Sequence, residues 1–259
     1  MGILNATPDS FFAESRAQSE EAVAHMARQL DADGADIIDI GACSTRPGAI
    51  AVVAADEAAR LEAAVKITRQ EVPHAIISVD TFRADIAQRA VEDWGADMVN
   101  DISGGNLDAE MFDIMAALRA PYVLCHSRGE LPHMMEHARY ADVCTEVLQE
   151  LAERLEKLAL LGVADVIVDP GFGFSKTLEQ NYALLANLRL FEILGRPLLV
   201  GVSRKSMATK LLDIPASEAL NATTALNTLA LDRGADILRV HDPRAAREAI
   251  AVWSEVTKA

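Results

Sequence analysis

The chain has 259 residues, is 51% hydrophobic but only 5% aromatic, and carries a formal net charge of −15. That charge, with no Lys/Arg-rich run, argues against nucleic acid and anionic membrane surfaces as partners. Cys43, Cys125 and Cys144 are widely spaced with no CxxC pair, which argues against a disulfide framework and a zinc site, and the opening residues lack the basic and long apolar segments of a leader or membrane span. A reducing, cytoplasmic setting is expected.

Gly2-Ile3-Leu4 forms a short apolar run that ends at Asn5 and gives way to the turn-rich Thr7-Pro8-Asp9-Ser10. Ser19 is placed to cap a helix over Glu20–Asp33, where Val23, Met26, Ala27 and Leu30 recur at helical spacing. Gly34-Ala35-Asp36 stops that helix before a second strand, Ile37–Ile40. A polar loop, Ser44–Gly48, then leads to a helix over Ala54–Glu71. The third strand, Ile76–Asp80, ends on an acid and is followed by a helix over Arg83–Asp93. Gly95-Ala96-Asp97 introduces a fourth strand, Met98–Asp101. The fifth, Tyr122–Cys125, has His126 at its tip. An amphipathic helix spans Ala141–Leu161, with Val143, Val147, Leu151, Leu155 and Leu158 along one face.

Val166-Ile167-Val168 is an apolar, β-branched run of the kind buried on both faces of a parallel sheet, and it stops at the carboxylate of Asp169. Pro170-Gly171 turns the chain, and Phe172-Gly173-Phe174 follows. A helix over Tyr182–Leu194 precedes the seventh strand, Leu198–Val202, which runs through Ser203-Arg204-Lys205-Ser206 into a helix N-terminus. After a helix over Ala219–Asp232, Gly234-Ala235-Asp236 leads to the eighth strand, Ile237–Asp242, and a last helix covers Arg244–Val256.

Strict alternation of strand and helix implies parallel strands joined by right-handed crossovers. Eight such units in a chain of this length predict a closed (β/α)8 TIM barrel, with residues 1–259 as one domain. Barrel chemistry gathers at the C-terminal ends of the strands. Here those ends read Asn5, Asp39, Asp80, Asn100 and Asp101, His126, Asp169, Ser203-Arg204-Lys205, and Arg239 with His241. Any one of them is also compatible with a helix cap or a turn acid. Asp39 reads as support behind the site, and His25, His74, His133 and His137 as solvated. No His/Asp/Cys set has the spacing of a tightly held transition metal.

Arg204, Lys205, Arg239 and His241 place cationic groups on neighbouring strand ends in an otherwise acidic chain. The loops after strands seven and eight are frequent phosphate sites, and a helix N-terminus adds free amides. Asp80, Asn100 and Asp169 suit the donor edge of an aminopyrimidine. A site that holds a polar ring and stabilises a departing phosphate follows.

Seven motifs then fall in one order: Gly2-Ile-Leu-Asn5-Ala-Thr-Pro-Asp-Ser-Phe11, Ser44-Thr-Arg-Pro-Gly48, Ser78-Val-Asp-Thr81, Val99-Asn-Asp-Ile102, Asp169-Pro-Gly-Phe-Gly-Phe174, Gly201-Val-Ser-Arg-Lys-Ser206 and Arg239-Val-His-Asp242. Together they cover essentially the whole chain, and the set resembles the dihydropteroate synthase family, the sulfonamide target of folate biosynthesis. The resemblance implies a pterin-binding barrel in which p-aminobenzoate displaces diphosphate from 6-hydroxymethyl-7,8-dihydropterin diphosphate to give 7,8-dihydropteroate. It implies a pterin pocket of Asp80, Asn100, Asp169 and Lys205, and diphosphate contacts from Asn5, Arg239 and His241. Asn5 would stand near a magnesium ion (Mg2+). It places p-aminobenzoate against Thr45, Arg46, Pro47, Phe174, Lys205 and Ser206. Lys205, Asp169, Asn5, Arg239 and His241 would carry the catalysis. The family also implies a homodimer packed through outer helices.

Three positions depart from the family pattern. The first loop usually continues Ser-Phe-Ser-Asp-Gly-Gly, whereas here Ser10-Phe11-Phe12-Ala13-Glu14-Ser15 puts Ala13 at the usual acid and Glu14 one place later. That run resembles sulfonamide-insensitive relatives, although Ser44–Gly48 keeps the ordinary form. Cys43 stands where Glu is common, and Ser127 follows His126 at a variable position. Two other readings share the barrel: a silent pterin-binding paralogue, and a methyltransferase partner of corrinoid proteins. The latter needs neither Ser-Thr-Arg-Pro-Gly nor Ser-Arg-Lys-Ser.

Overall fold

The computed structural model describes residues 1–6, 16–43 and 53–258. Parallel strands β1 (Gly2–Asn5), β2 (Ile37–Gly41), β3 (Ile76–Asp80), β4 (Met98–Asp101), β5 (Tyr122–Cys125) and β6 (Val166–Asp169) pair in sequence order, and β7 (Leu199–Val200) pairs with β8 (Ile237–Leu238). Two single parallel bridges, Val168 with Leu198 and Gly2 with Val240, join the two sheets at both seams. Backbone hydrogen bonds from Val168 N to Pro197 O at 2.9 Å and from Ile3 N to Val240 O at 3.0 Å complete the closure. The result is the expected (β/α)8 barrel.

Alternation along the strands sorts the side chains. Ile38 and Ile40, Ile77 and Val79, Val99, Tyr122 and Leu124, and Val166 and Val168 point outward into the packing of strands against helices. The opposite parity faces the lumen, where Met98, Val123 and Leu199 form an apolar cluster with Ile37, Ile167 and Ile237. Further along the strands, that inward parity brings Asp39, Ser78, Asp80, Asn100 and Asp169 above the cluster. The barrel is therefore apolar below and polar towards its C-terminal mouth.

The outer layer contains α1 (Arg16–Ala32), α2 (Ala54–Glu71), α3 (Ala84–Arg89), α4 (Met111–Leu118), α5 (Val143–Leu160), α6 (Leu178–Ala186), α7 (Ser206–Leu212), α8 (Leu220–Asp232) and α9 (Pro243–Lys258). Several boundaries differ from the pattern in the sequence. Ser19 lies inside α1, which begins three residues earlier at Arg16. A π-helical turn, Ala90–Trp94, continues α3 and ends at Gly95, whose φ of +92° lies in the left-handed region where a Cβ is unfavourable. α5 starts at Val143 because the Asp142 carboxylate accepts the Thr145 amide at 2.7 Å. A Thr177–Gln180 capping box starts α6 four residues ahead of Tyr182, and a separate 3-10 turn, Leu188–Leu194, replaces its expected second half. α4 and the 3-10 segment Leu131–His137 lie in stretches where no helix is predicted. β7 and β8 are shorter than expected: their mutual ladder is two residues long, while Leu198 and Val240 bridge instead across the seams to Val168 and Gly2.

Candidate active site

The lumen parity assembles a buried network at the mouth. Asp39 is fully buried and accepts from Ser78 Oγ at 2.6 Å, Asn100 Nδ2 at 3.0 Å and Arg239 Nε at 2.6 Å. Arg239 Nη2 turns to Asp80 Oδ2 at 2.7 Å, so one guanidinium spans two carboxylates from adjacent strands. Burial opposes the charge on Arg239, but Asp39 and Asp80 outweigh it and hold the guanidinium firmly protonated. Burial pushes the Asp80 carboxyl up to about 7; Arg239 pulls it down, and Asp39 and Asp101 add to the rise. Asp39 thus fixes Arg239 and Asn100 from behind, the supporting position expected for it.

A second cluster comes from the loops after β6 and β7. Asp169 is buried, its Oδ1 accepts the Gly171 amide at 2.7 Å, and its register partner on β5 is Cys125. Burial raises its carboxyl, while Lys205, the Gly171 amide and more distant Lys176 resist that rise. Lys205 Nζ donates to Phe172 O at 2.5 Å and lies 4.6 Å from the centre of the Phe174 ring. Burial lowers the lysine, and Asp169 counteracts it. Phe174 packs with Ile102, Cys125, Met134 and Phe82, giving this side of the mouth an apolar wall. Lys205 and Arg239 both border Gly201, whose missing side chain leaves them room to approach one another.

Three strand-end residues turn away from this site. Asp101 has outward parity; it accepts the Ser103 and Gly105 amides, each at 2.7 Å, and the Tyr122 hydroxyl at 2.7 Å, so it caps the turn after β4. His126, also outward, is fully buried against Glu150 of α5. Arg204 makes a two-pronged pair with Asp242 at 2.9 and 2.7 Å and a bond to Ala216 O at 3.2 Å. It clamps the turns after β7 and β8 together and is not a free cation of the site.

Asn5 is exposed at the tip of β1, and Ser206 opens α7 beside Lys205. His241 Nδ1 meets Ser203 Oγ at 3.0 Å, and Ser203 Oγ also accepts the His241 amide at 3.2 Å. Withdrawal of the ring from water, then the charges of Arg239 and Arg204, hold His241 below the ordinary imidazole value; solvent limits that depression because the residue is exposed overall. His25, His74, His133 and His137 are exposed, in line with their solvated reading. Thr45, Arg46 and Pro47, like Ala13 and Glu14, lie outside the described residues.

Lys176 and Asn181 have no role in the sequence reading. Both are buried beneath the loop that carries Phe172 and Phe174, where Asn181 Oδ1 accepts the Gly173 amide at 2.7 Å. Their signal was slight: a lysine closing an apolar, glycine-rich turn, and an asparagine one helical turn into the next element.

The pterin binding enzyme family model matches residues 1–241. A dihydropteroate synthase of Synechocystis sp. is 42% identical over 98% of this chain and 89% of its own length. A Xanthomonas albilineans dihydropteroate synthase solved with 4-aminobenzoic acid superposes with a TM-score of 0.92 at 36% identity, over 100% of this chain and 93% of the other. The same enzyme in complex with 7,8-dihydropteroate gives a TM-score of 0.89 at 34% identity over 100% and 93%. With the barrel, the inward acids and the motif order already in place, these matches show that the chain belongs to the dihydropteroate synthase family of pterin-binding transferases.

Proposed function

We propose that this single pterin-binding barrel domain condenses p-aminobenzoate with 6-hydroxymethyl-7,8-dihydropterin diphosphate, releasing diphosphate and 7,8-dihydropteroate. The observation that carries the reading is the inward convergence of Asp80, Asn100 and Asp169 with Lys205 and Arg239 in a chain whose relatives bind 4-aminobenzoate and 7,8-dihydropteroate. Asp169 accepts from the aminopyrimidine edge, Asn100 bonds the ring, and Lys205 donates to its acceptor side. Arg239, already balanced by two carboxylates, keeps its charge in the pocket. Thr45, Arg46, Pro47, Phe174 and Ser206 hold the aminobenzoate.

Asn5 and His241, at the mouth beyond Arg239, receive the diphosphate. Among the described residues no cluster of three or more His, Cys, Asp or Glu could cage a metal ion. An exposed amide oxygen at Asn5 instead fits Mg2+ that arrives largely coordinated by substrate phosphate. Held there, Mg2+ would supply neutralisation of negative charge on the diphosphate oxygens. Negative charge also builds towards Arg239, His241 and the amides opening α7, while positive charge on the methylene spreads into the electron-rich pterin. This favours a dissociative displacement in which the aromatic amine attacks after the C–O bond has largely broken, with no protein nucleophile.

Exposed Leu190, Ile193, Leu229, Val252 and Val256 lie on or beside the outer helices α8 and α9 and support a homodimer through that face. A cytoplasmic location rests on the three free thiols. No described helix is long and apolar enough to cross a membrane. The test is diphosphate release by purified protein with dihydropterin diphosphate and Mg2+, with and without p-aminobenzoate, at a solution mass measured in parallel. Release that depends on p-aminobenzoate and yields dihydropteroate supports the synthase. Pterin binding without product would support the silent paralogue instead.

A further inference from the structure

Beneath the site, the loop Gly171–Ser175 takes an unusual path. Gly171, Gly173 and Ser175 have φ values of +74°, +84° and +46°, so the left-handed conformation recurs at alternate residues. A Cβ at Gly171 would run into the His126 carbonyl oxygen, so the β6 loop lies directly on the end of β5. Such a backbone persists only where its surroundings over-determine it. Asp169 and Asn181 hold two of its amides from above and behind.

Its carbonyls converge on one cation. Lys176 is only 3% exposed, and its Nζ stands 3.0 Å from Gly171 O, 3.0 Å from Phe174 O, 3.3 Å from His126 O and 3.0 Å from His126 Nδ1. Among the described residues no carboxylate is bonded to it. An ammonium that donates to Nδ1 requires the imidazole lone pair there, so His126 carries its proton on Nε2 and donates to Glu150 Oε2 at 3.0 Å. Glu150 is held in turn by Arg128, whose Nε lies 2.9 Å from Oε1, whose guanidinium stacks 3.9 Å over Tyr140 and whose amide donates to Ser175 Oγ at 2.9 Å. A directional chain thus runs from α5 through β5 to the underside of the β6 loop.

We propose that Lys176 is a positioning residue for the reaction: it gathers the Gly171 and Phe174 carbonyls so that the same loop presents its amide to Asp169 and its Phe172 carbonyl and Phe174 ring to Lys205. A neutral His126, hydrogen-bonded to the ionised Glu150, fixes where the ammonium stands. Burial lowers Lys176 to about 7 and His126 to about 3, in keeping with a cation that has only dipoles as direct partners and an imidazole that stays neutral. Lys176 touches neither substrate nor reacting atom, and its catalytic consequence rests on the synthase reading above.

Hydrogen–deuterium exchange of the full chain without substrate separates the two claims. In Lys176→Met, exchange at 171–175 should rise about tenfold while α8 and β3 keep their protection; a uniform rise throughout, or none, overturns the proposal. Should that variant fail to fold, His126→Asn and His126→Leu decide the matter. Asn offers Lys176 an acceptor at the Nδ1 position and should keep loop exchange within about threefold of wild type, whereas Leu should loosen the loop about as much as Lys176→Met. Equal behaviour of the two overturns the proposal. If the wild type proves to be a synthase, Lys176→Met should also lose about 100-fold in kcat/KM, chiefly through KM for both substrates. A lowered Tm with unchanged kcat and KM would make Lys176 structural only.

Discussion

The two ends of the barrel use the same residue, aspartate, for opposite ends. At the N-terminal floor, Asp97 and Asp236 each follow a Gly-Ala pair and accept a backbone amide from the neighbouring strand: Ile77 N at 2.7 Å and Leu198 N at 2.8 Å. Asp97 also pairs with Arg69, and Asp36, in the third Gly-Ala-Asp, pairs with Arg247 at 2.7 Å. These acids sit near solvent and close the sheet where strands begin. At the mouth, Asp80 and Asp169 are enclosed, lifted by burial and opposed by Arg239 and Lys205. A floor acid commits its oxygens to strand amides and surface arginines; a mouth acid keeps polar capacity directed into the lumen. The difference between scaffold and site lies in what surrounds the carboxylate.

The largest effects should come from breaking the mouth. Lys205→Ala and Asp169→Ala should each lower kcat/KM at least about 10³-fold, because each removes the charged contact to the ring that the proposed function gives it, together with the partner that offsets the other's burial. Near-native kinetics in both variants would dissolve the distinction between mouth and floor. Circular dichroism on the same preparations checks that the barrel survives.

An intermediate effect concerns pH. His126 titrates near 3 when folded and near 6.5 when unfolded, so between those values the unfolded chain binds the extra proton and stability falls as the medium is acidified. For one proton the slope is about 1.4 kcal/mol per pH unit. Asp80, raised to about 7, works in the other direction, holding its proton in the folded state between 3.8 and 7. Urea unfolding between pH 4 and 6.5 should therefore show a flatter acid limb in His126→Asn and a steeper one in Asp80→Asn. Parallel limbs in all three proteins would mean that neither group is shifted by its burial.

Much of this was legible in advance. Alternation in β2 through β6 fixes which strand-end residues face the lumen, and Asp39, Asp80, Asn100 and Asp169 share the inward parity. The same alternation carries Asp101 outward with Val99, and His126 outward with Tyr122 and Leu124, although both stand among the strand ends read as candidates for the site. Arg204 was not legible: its bond to Asp242, 38 residues away, depends on a turn where Arg204 itself takes a φ of +54°. Lys176 escaped for a related reason. No periodicity runs through a turn of left-handed residues, so nothing in the sequence pattern says that its carbonyls point at one ammonium. α4 was missed because its eight residues are too few to display a helical repeat.

The smallest effect tests the floor, and is the sharpest check on the comparison because it predicts what does not change. Asp97→Ala deprives the Ile77 amide of its acceptor and Arg69 Nη2 of a carboxylate at 2.5 Å. Arg69 keeps the carbonyls of Gly95, Pro73 and Ala75, and the Asp97 side chain is 46% exposed, so water can replace part of what is lost. The loss should be about 1–2 kcal/mol, a drop of a few degrees in Tm for a chain of this size. Since the apolar cluster of Met98, Val123 and Leu199 separates this acid from the mouth, kcat/KM at 25 °C should stay within about twofold of wild type. A larger kinetic loss at unchanged fold would show that strain at the floor reaches Asp80 through β3, and the two ends could no longer be treated as independent.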